Sequence, residues 1–371
     1  MTENQERNLN EANRIVLVVQ GGIGRNIQST AVVKELKARF PGKHIAVVCG
    51  TPELFTKNPN ISRLHNLAHP THFFDDYIRD NTTAVINVEP YQHYDYIYKR
   101  KHFIQCWLDM IGMEETSEEI PTPEIFYNQA EIEMAKDYLK KFDRRMILFQ
   151  HQGGKIPEAK DKKSTLVAKS GMYRRSLPEN VAQEITDGLI AKGYMVGSVG
   201  HPNQFLPRGA EQVNFPIRAI CGIIPFVEGI ITIDSFLLHG SACFKNRTPT
   251  LAIWGGTSPA VLGYPWHTNM TRSVCDTPMC HRPNSYLWDF EETGFLWDCP
   301  HNDICMNYKA SEILGAFYKM MEEENGPEEP DSGPEPAGET KEEDHSCTKE
   351  GGACACKGSP SEKIPAGAGA N

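Results

Sequence analysis

Three features of the chain predict an α/β protein made of two doubly wound, Rossmann-like halves facing a cleft. Strand and helix signals alternate, glycine-rich breaks follow continuous apolar runs, and the same grammar restarts after residue 130. Apolar runs bounded by turn residues and separated by helical patterns are the signature of parallel strands buried on both faces. In order, Arg14–Val19 is the first strand, broken at once by Gly21, Gly22 and Gly24. Ile27, Ala31, Leu36 and Phe40 then keep a 3.6-residue period until Pro41-Gly42 ends the helix. His44–Cys49 and 83–88 read as further strands, the latter followed by a long mixed segment to Gly112. Residues 113–130, polar and carrying Pro121 and Pro123, form the expected crossing between domains. Strands follow at 146–150, 194–199, 229–234 and 250–254. Pro178 opens a helix that runs to about Lys192-Gly193, a short helix begins at Ser235, and 310–321 is amphipathic. The expected organisation is a polar segment 1–13, a first domain 14–125, a second domain 126–321 and a tail 322–371.

Composition narrows the function. No stretch approaches the roughly 20 consecutive apolar residues of a spanning helix. Met1–Asn13 lacks an apolar signal-peptide core, so the expected compartment is cytoplasmic. The net charge of −10 argues against a nucleic-acid binder. Most of it lies in the tail, where 13 acidic side chains face 4 basic ones and leave about −1 for the first 321 residues. That tail, rich in Glu, Pro, Gly and Ser, reads as disordered because it has too little apolar surface to offset ordering entropy.

Four segments have the residues for chemistry. Gln20–Gln28 places glycines at a strand-to-helix junction, where a backbone can turn tightly against a ligand. Ile27 stands where a dinucleotide fingerprint needs its third glycine, and no acidic residue follows at the second strand end, so NAD binding is disfavoured. Asp234-Ser235 follows an apolar strand, with His239 four residues later on the same helical face. Capping explains Ser235, but not the imidazole; together they suit a diphosphate. Arg174-Arg175 precedes the helix at Pro178 and suits phosphate oxygens, though a solvated basic loop reads equally well. Cys275, Cys280, Cys299 and Cys305 form two close thiol pairs, open to a tetrahedral metal, to free thiols or to a disulfide. Cys49, Cys106, Cys221 and Cys243 lie in apolar segments and read as buried thiols.

Taken in order, these segments resemble the heptosyltransferase-like family of GT-B glycosyltransferases, which includes the enzymes that extend the lipopolysaccharide core. Ile23-Gly24-Arg25 leading to Leu36 and Phe40-Pro41 is similar to the family's Ile-Gly-Asp turn, helix and Phe-Pro. Residues 58–61 look like its Asn-Pro-x-Ile turn, and Arg175-Ser-Leu-Pro178 like its Lys-x-Trp-Pro. Asp234-Ser235 with His239 resembles Asp-Ser-Gly-x-x-His, and Ile253 to Pro259 resembles Phe-Gly-x-Thr-x-Pro around Thr257. The closing cysteine pattern, ending in Cys305-Met306, also recurs among relatives.

The resemblance implies a GT-B fold and an inverting transfer from a nucleotide-diphosphate sugar, ADP-heptose-like, to a glycan, lipid-linked or protein acceptor. The acceptor belongs to the first domain and the donor to the second. By that resemblance Gly22, Gly24 and Asn26 shape the interdomain turn. Arg175, Ser235 and His239 hold the diphosphate, while Asp234 and Thr257 lie at the donor. No catalytic metal is expected, since helix dipoles and basic groups stabilise the leaving diphosphate. A structural zinc or iron on the cysteine cluster is the metal reading. One departure stands out: the family's catalytic Asp is replaced by Arg25, which cannot accept a proton. Glu89, at the end of a strand, is the candidate base, with Asp95 and Asp76 as alternatives. A catalytically silent sugar- or nucleotide-binding scaffold, or a nucleotide-sugar epimerase, is the alternative function.

Overall fold

The computed structural model describes residues 9–79, 82–113, 119–153, 175–272 and 304–325. The expected apolar runs form two separate sheets, each wholly parallel. The first contains β1 (Arg14–Val19), β2 (His44–Cys49), β3 (Arg63–Asn66) and β4 (Thr83–Ile86), in the order β3-β2-β1-β4. The second contains β5 (Met146–Phe149), β6 (Met195–Ser198), β7 (Glu211–Gln212), β8 (Gly229–Ile233), β9 (Thr250–Ile253) and β10 (Thr268–Met270). Its order, β10-β9-β8-β5-β6-β7, is the doubly wound 3-2-1-4-5-6 arrangement when counted within the half. Both sheets belong to one compact unit spanning Met1–Pro327.

The strands match their expected positions, but several end one or two residues early. The apolar run at 83–88 leaves the ladder after Ile86, and the runs ending at 150, 234 and 254 each release their last residue into a loop. Those released residues lie at the C-terminal edges, where doubly wound sheets bind ligands. The short edge strands β3, β7 and β10 have little apolar periodicity, and pairing rather than pattern defines them.

Helix α1 (Ile23–Arg39) starts directly after the glycine turn and buries Ile27, Ala31, Val32 and Leu36 in the main core. The mixed segment after β4 resolves into α2 (Tyr94–Ile97) and α3 (Phe103–Met110), the latter capped at its N-terminus by a His102–Gln105 capping box. The crossing leads to α4 (Gln129–Leu139), capped by Asn128 and Glu131. In the second half come α5 (Glu179–Ala191), α6 (Ile217–Ile223), α7 (Phe236–Ala242), α8 (Pro259–Leu262) and the closing helix α9 (Ala310–Asn325).

Sequence reading missed the residue that ties the crossing down. Arg218, on α6 and buried, bonds Glu131 through both carboxylate oxygens at 2.6 and 3.0 Å. It also reaches the carbonyls of Glu53 (3.0 Å) and Phe126, and stacks over Tyr127. One guanidinium thus holds the first half, the crossing and the second half together. Thr30 on α1 adds a second tie, its hydroxyl accepting from the Glu124 amide at 2.8 Å. No helix among the described residues is long and apolar enough to cross a membrane.

Candidate functional site

In a doubly wound sheet the switch point is where strand order reverses, and the crevice beyond the strand ends there is open to a ligand. In the first sheet that point lies between β1 and β4, and in the second between β5 and β8. Three of the four segments singled out from the sequence fall at these two places. Beyond β1 and β4 lie Gln20–Asn26 and Asn87–Glu89, stitched by a Gln20–Asn87 hydrogen bond of 3.2 Å. Beyond β5 and β8 lie Gln150–Gly153 and Asp234-Ser235, next to Arg175.

The glycine turn is built by sterics. Gly21 has φ +93°, a left-handed conformation, and a Cβ there would come within 3.2 Å of Arg25 Cδ. Gly22 caps α1 with open space where its Cβ would stand. Asn26 is fully buried and donates to the Gly22 carbonyl at 2.9 Å, holding the turn closed, while its Oδ1 is buried with no hydrogen-bond partner. At Gly24 a Cβ would lie 2.6 Å from His239 Cδ2. Only a glycine allows α1 and α7 to approach this closely, so two motifs more than 200 residues apart in the chain meet ring against backbone.

Arg25 points to the other side of the turn. Its Nη1 donates to Glu89 Oε2 at 2.7 Å and its Nη2 to the Val88 carbonyl at 3.1 Å. The guanidinium lies 5.0 Å from the Trp107 ring centre and 5.8 Å from that of Tyr91, and the residue is 6% exposed. The second oxygen of Glu89, Oε1, accepts from the Tyr91 amide at 3.3 Å, and the side chain remains 37% exposed. Asp95 belongs to a different group. With His93 and Asp109 it forms a set of ligand atoms within 4.8 Å of one another, one that could hold a metal ion. The Lys101 ammonium already stands 2.5 Å from Asp109 Oδ2, and His93 Nδ1 is used in accepting the Asp95 amide. This cluster therefore reads as an ion-pair network.

On the second sheet, Arg175 lies across Gly153: a Cβ on that glycine would be 3.1 Å from Arg175 Nε and 3.3 Å from Ile233 Cδ1. Ser176 Oγ accepts from the Gly153 amide at 3.1 Å, and the His151 carbonyl accepts from Leu177 at 2.8 Å. The basic segment is thereby fastened to the loop after β5. Ser235 occupies the N-cap of α7 but makes no side-chain cap bond, so capping does not use its hydroxyl. Asp234 is buried, with Oδ1 3.9 Å from His239 Nε2. Thr257 is buried with an unpartnered Oγ1, next to Ser258, which caps α8.

His239 belongs to a buried ring cluster gathered around Tyr264 that the sequence did not foreshadow. Its Nδ1 is hydrogen-bonded to Tyr264 Oη at 3.1 Å. The His102 ring packs on Tyr264 from α3, and His267 packs on it from the same loop. Burial pushes His239 down to about 4, and burial plus the neighbouring His239 pushes His102 and His267 to about 3. All three are neutral near pH 7. His239 thus offers a neutral ring rather than a charge, leaving Arg175 as the cation among the expected donor residues. His151, also overlooked, is buried at the end of β5 and pushed down to about 4 by burial. Its ring packs against Phe149 and Phe205.

Cys275, Cys280 and Cys299 lie outside the described residues, as does the tail from 326 onward. Cys305 is half-buried against the second core. Cys49, Cys106 and Cys221 are buried as expected, and Cys243 is partly so.

No protein-family model matches the chain, and no curated protein matches it in sequence. Solved structures do match. A glycosyl transferase family 9 structure from Veillonella parvula superposes with a TM-score of 0.55 at 13% identity, covering 83% of this chain and 97% of that one. The ADP-heptose lipopolysaccharide heptosyltransferase II of E. coli gives 0.58 at 13% identity, covering 84% and 100%. TibC of enterotoxigenic E. coli, an iron-containing dodecameric glycosyltransferase, gives 0.56 at 13% identity, covering 84% and 76%. The fold is therefore the GT-B fold of the heptosyltransferase-like glycosyltransferases.

Proposed function

We propose that the chain is a glycosyltransferase that moves a sugar, with inversion, from a nucleoside-diphosphate sugar to a hydroxyl of a glycan, lipid-linked or protein acceptor. The observation that carries this reading is the contact of Gly24 with His239. It brings the carboxylate-bearing switch point of the first sheet against the basic and hydroxyl-bearing switch point of the second. Transfer needs both: a base at the acceptor oxygen, and donors at the diphosphate where negative charge develops.

In this reading Arg175 pairs with the diphosphate, with the Ser235 hydroxyl beside it. His239, neutral and fixed by Tyr264, orients the Asp234 turn, and Asp234 and Thr257 face the donor sugar. Gly22, Gly24 and Asn26 hold the turn that closes the first half onto it. Glu89 is the base, with Asp95 the less favoured candidate because its neighbours form an ion-pair network. Replacing Arg175 by Ala is expected to weaken ADP-sugar or UDP-sugar binding by about 1–3 kcal/mol, the range for a lost charged hydrogen bond. Titration calorimetry on the wild type and the variant checks this, and unchanged affinity removes the donor-site assignment. The likeness to heptosyltransferase II favours ADP-heptose among the donors, and nucleotide competition with ADP, UDP and GDP tests it.

One observation favours a second reading, a silent sugar- or nucleotide-binding scaffold: Arg25 stands where the family pattern has its Asp. Nucleotide release from a sugar donor separates the two.

A further inference from the structure

We propose that Arg25 is a positioning residue through which Glu89 takes over as base. This inference rests on the glycosyltransferase reading above. A glutamate at a loop start has three free side-chain torsions, and a base must be held within a fraction of an ångström of its proton. Glu89 is held from two directions, by Arg25 Nη1 on Oε2 and by the Tyr91 amide on Oε1.

The anchor is itself buried and packed on several sides. Trp107 and Tyr91 flank the guanidinium, a Cβ on Gly21 would come within 3.2 Å of its Cδ, and Nη2 grips the carbonyl of Val88, the residue before Glu89. The fork of the guanidinium therefore fixes the strand end and the carboxylate together through two separate nitrogens held in one plane, a geometry that the single nitrogen of a lysine does not reproduce. Each carboxylate oxygen has about two lone-pair sites, so one bond to each still leaves an acceptor position, and the side chain is 37% exposed. A solvated surface pair has no need of such an anchor.

In the step this serves, the acceptor O–H gives its proton to the Glu89 carboxylate as the acceptor oxygen bonds to the anomeric carbon. The bond from that carbon to the diphosphate breaks, and its electron pair leaves with the nucleoside diphosphate. Glu89 later releases the proton to solvent.

The experiment measures nucleotide release from ADP- and UDP-sugars, with water as acceptor, for the wild type, Arg25→Ala, Arg25→Lys, Glu89→Gln and the Arg25→Ala/Glu89→Gln double variant. Thermal unfolding is followed in parallel. Arg25→Ala is expected to lower kcat about 100-fold, the cost typical of a misplaced reacting group, with the donor KM little changed. Millimolar guanidinium is expected to restore turnover in Arg25→Ala but not in the double variant. Because Arg25 acts through Glu89, the double variant is expected to be no slower than Glu89→Gln alone. If Arg25→Ala does not fold, Arg25→Lys has the same test: it is expected to fold, to fall in kcat and to add nothing to Glu89→Gln.

Losses that multiply in the double variant overturn the positioning role while leaving Glu89 as base. Full turnover in Glu89→Gln overturns Glu89 as base, and the positioning role with it, but leaves the enzyme. A wild type that binds ADP yet releases no nucleotide from any donor overturns both the transferase reading and this inference.

Discussion

The buried histidine cluster is expected to make stability steeply dependent on pH. His102, His239 and His267 are held neutral at about 3, about 4 and about 3, against the ordinary 6.5 of an unfolded chain. Between those values the unfolded chain binds protons that the folded chain excludes. Their contribution is complete above pH 6.5 and is lost as pH falls through 5 toward 4. For His239 alone the linkage relation gives a loss of about 2 kcal/mol at pH 5 and about 3 kcal/mol at pH 4. His102 and His267 act with the same sign and repel a charge on His239, while Asp234 partly offsets it. Set against a typical stability of about 5–15 kcal/mol, acid unfolding near pH 5 is expected. Urea unfolding at constant ionic strength from pH 7.5 to 4.5 checks this. His239→Gln is expected to lower the slope by about one proton, or about 1.4 kcal/mol per pH unit. His44, His65 and His151 are also depressed and contribute to the wild-type slope, so the difference between the two proteins is the deciding quantity. Wild-type stability that stays flat from pH 7 to 5, or an unchanged slope in His239→Gln, refutes the argument.

Gly24→Ala places a methyl group 2.6 Å from a ring that Tyr264 holds in place, and overpacking of this kind costs about 1–3 kcal/mol, lowering the thermal midpoint. Arg218→Ala removes the guanidinium bonds to Glu131, Glu53 and Phe126 and leaves the Thr30–Glu124 tie in place. Glu131 is 31% exposed and falls back on water, so the expected loss is about 2–4 kcal/mol in urea unfolding, below the full cost of a buried pair. Arg218 is also what holds Glu131 below the usual carboxylate range, so its stabilisation is expected to fade as pH drops below the ordinary value of 4.5. Elemental analysis tests the cysteine cluster: zinc or iron near one per chain supports a structural metal, and neither above background removes it.

The legible part of this protein is what depends on local pattern. Continuous apolar runs located the strands of both sheets apart from the edges β3, β7 and β10, because the central strands are buried on both faces and read as unbroken apolar runs. The same runs located the loops at the strand ends: Asp234 follows β8 directly, and Glu89 and Thr257 stand three and four residues beyond β4 and β9. Arg25 was legible as a departure from the family pattern, and Glu89 as a carboxylate beyond a strand end.

Their pairing was not legible, because 64 residues separate them and only the order β2-β1-β4 sets their loops side by side. The role of Arg218 was hidden for the same reason, its partners being carbonyls and a carboxylate from three segments. His239 shows the division most plainly. The sequence supplied an imidazole on the face of a helix that follows Asp-Ser, and that much is chemistry read from spacing. Packing against Gly24, Tyr264 and the two other rings decided that it would be buried and neutral. Desolvation depends on what surrounds a group in space, and no local pattern records that.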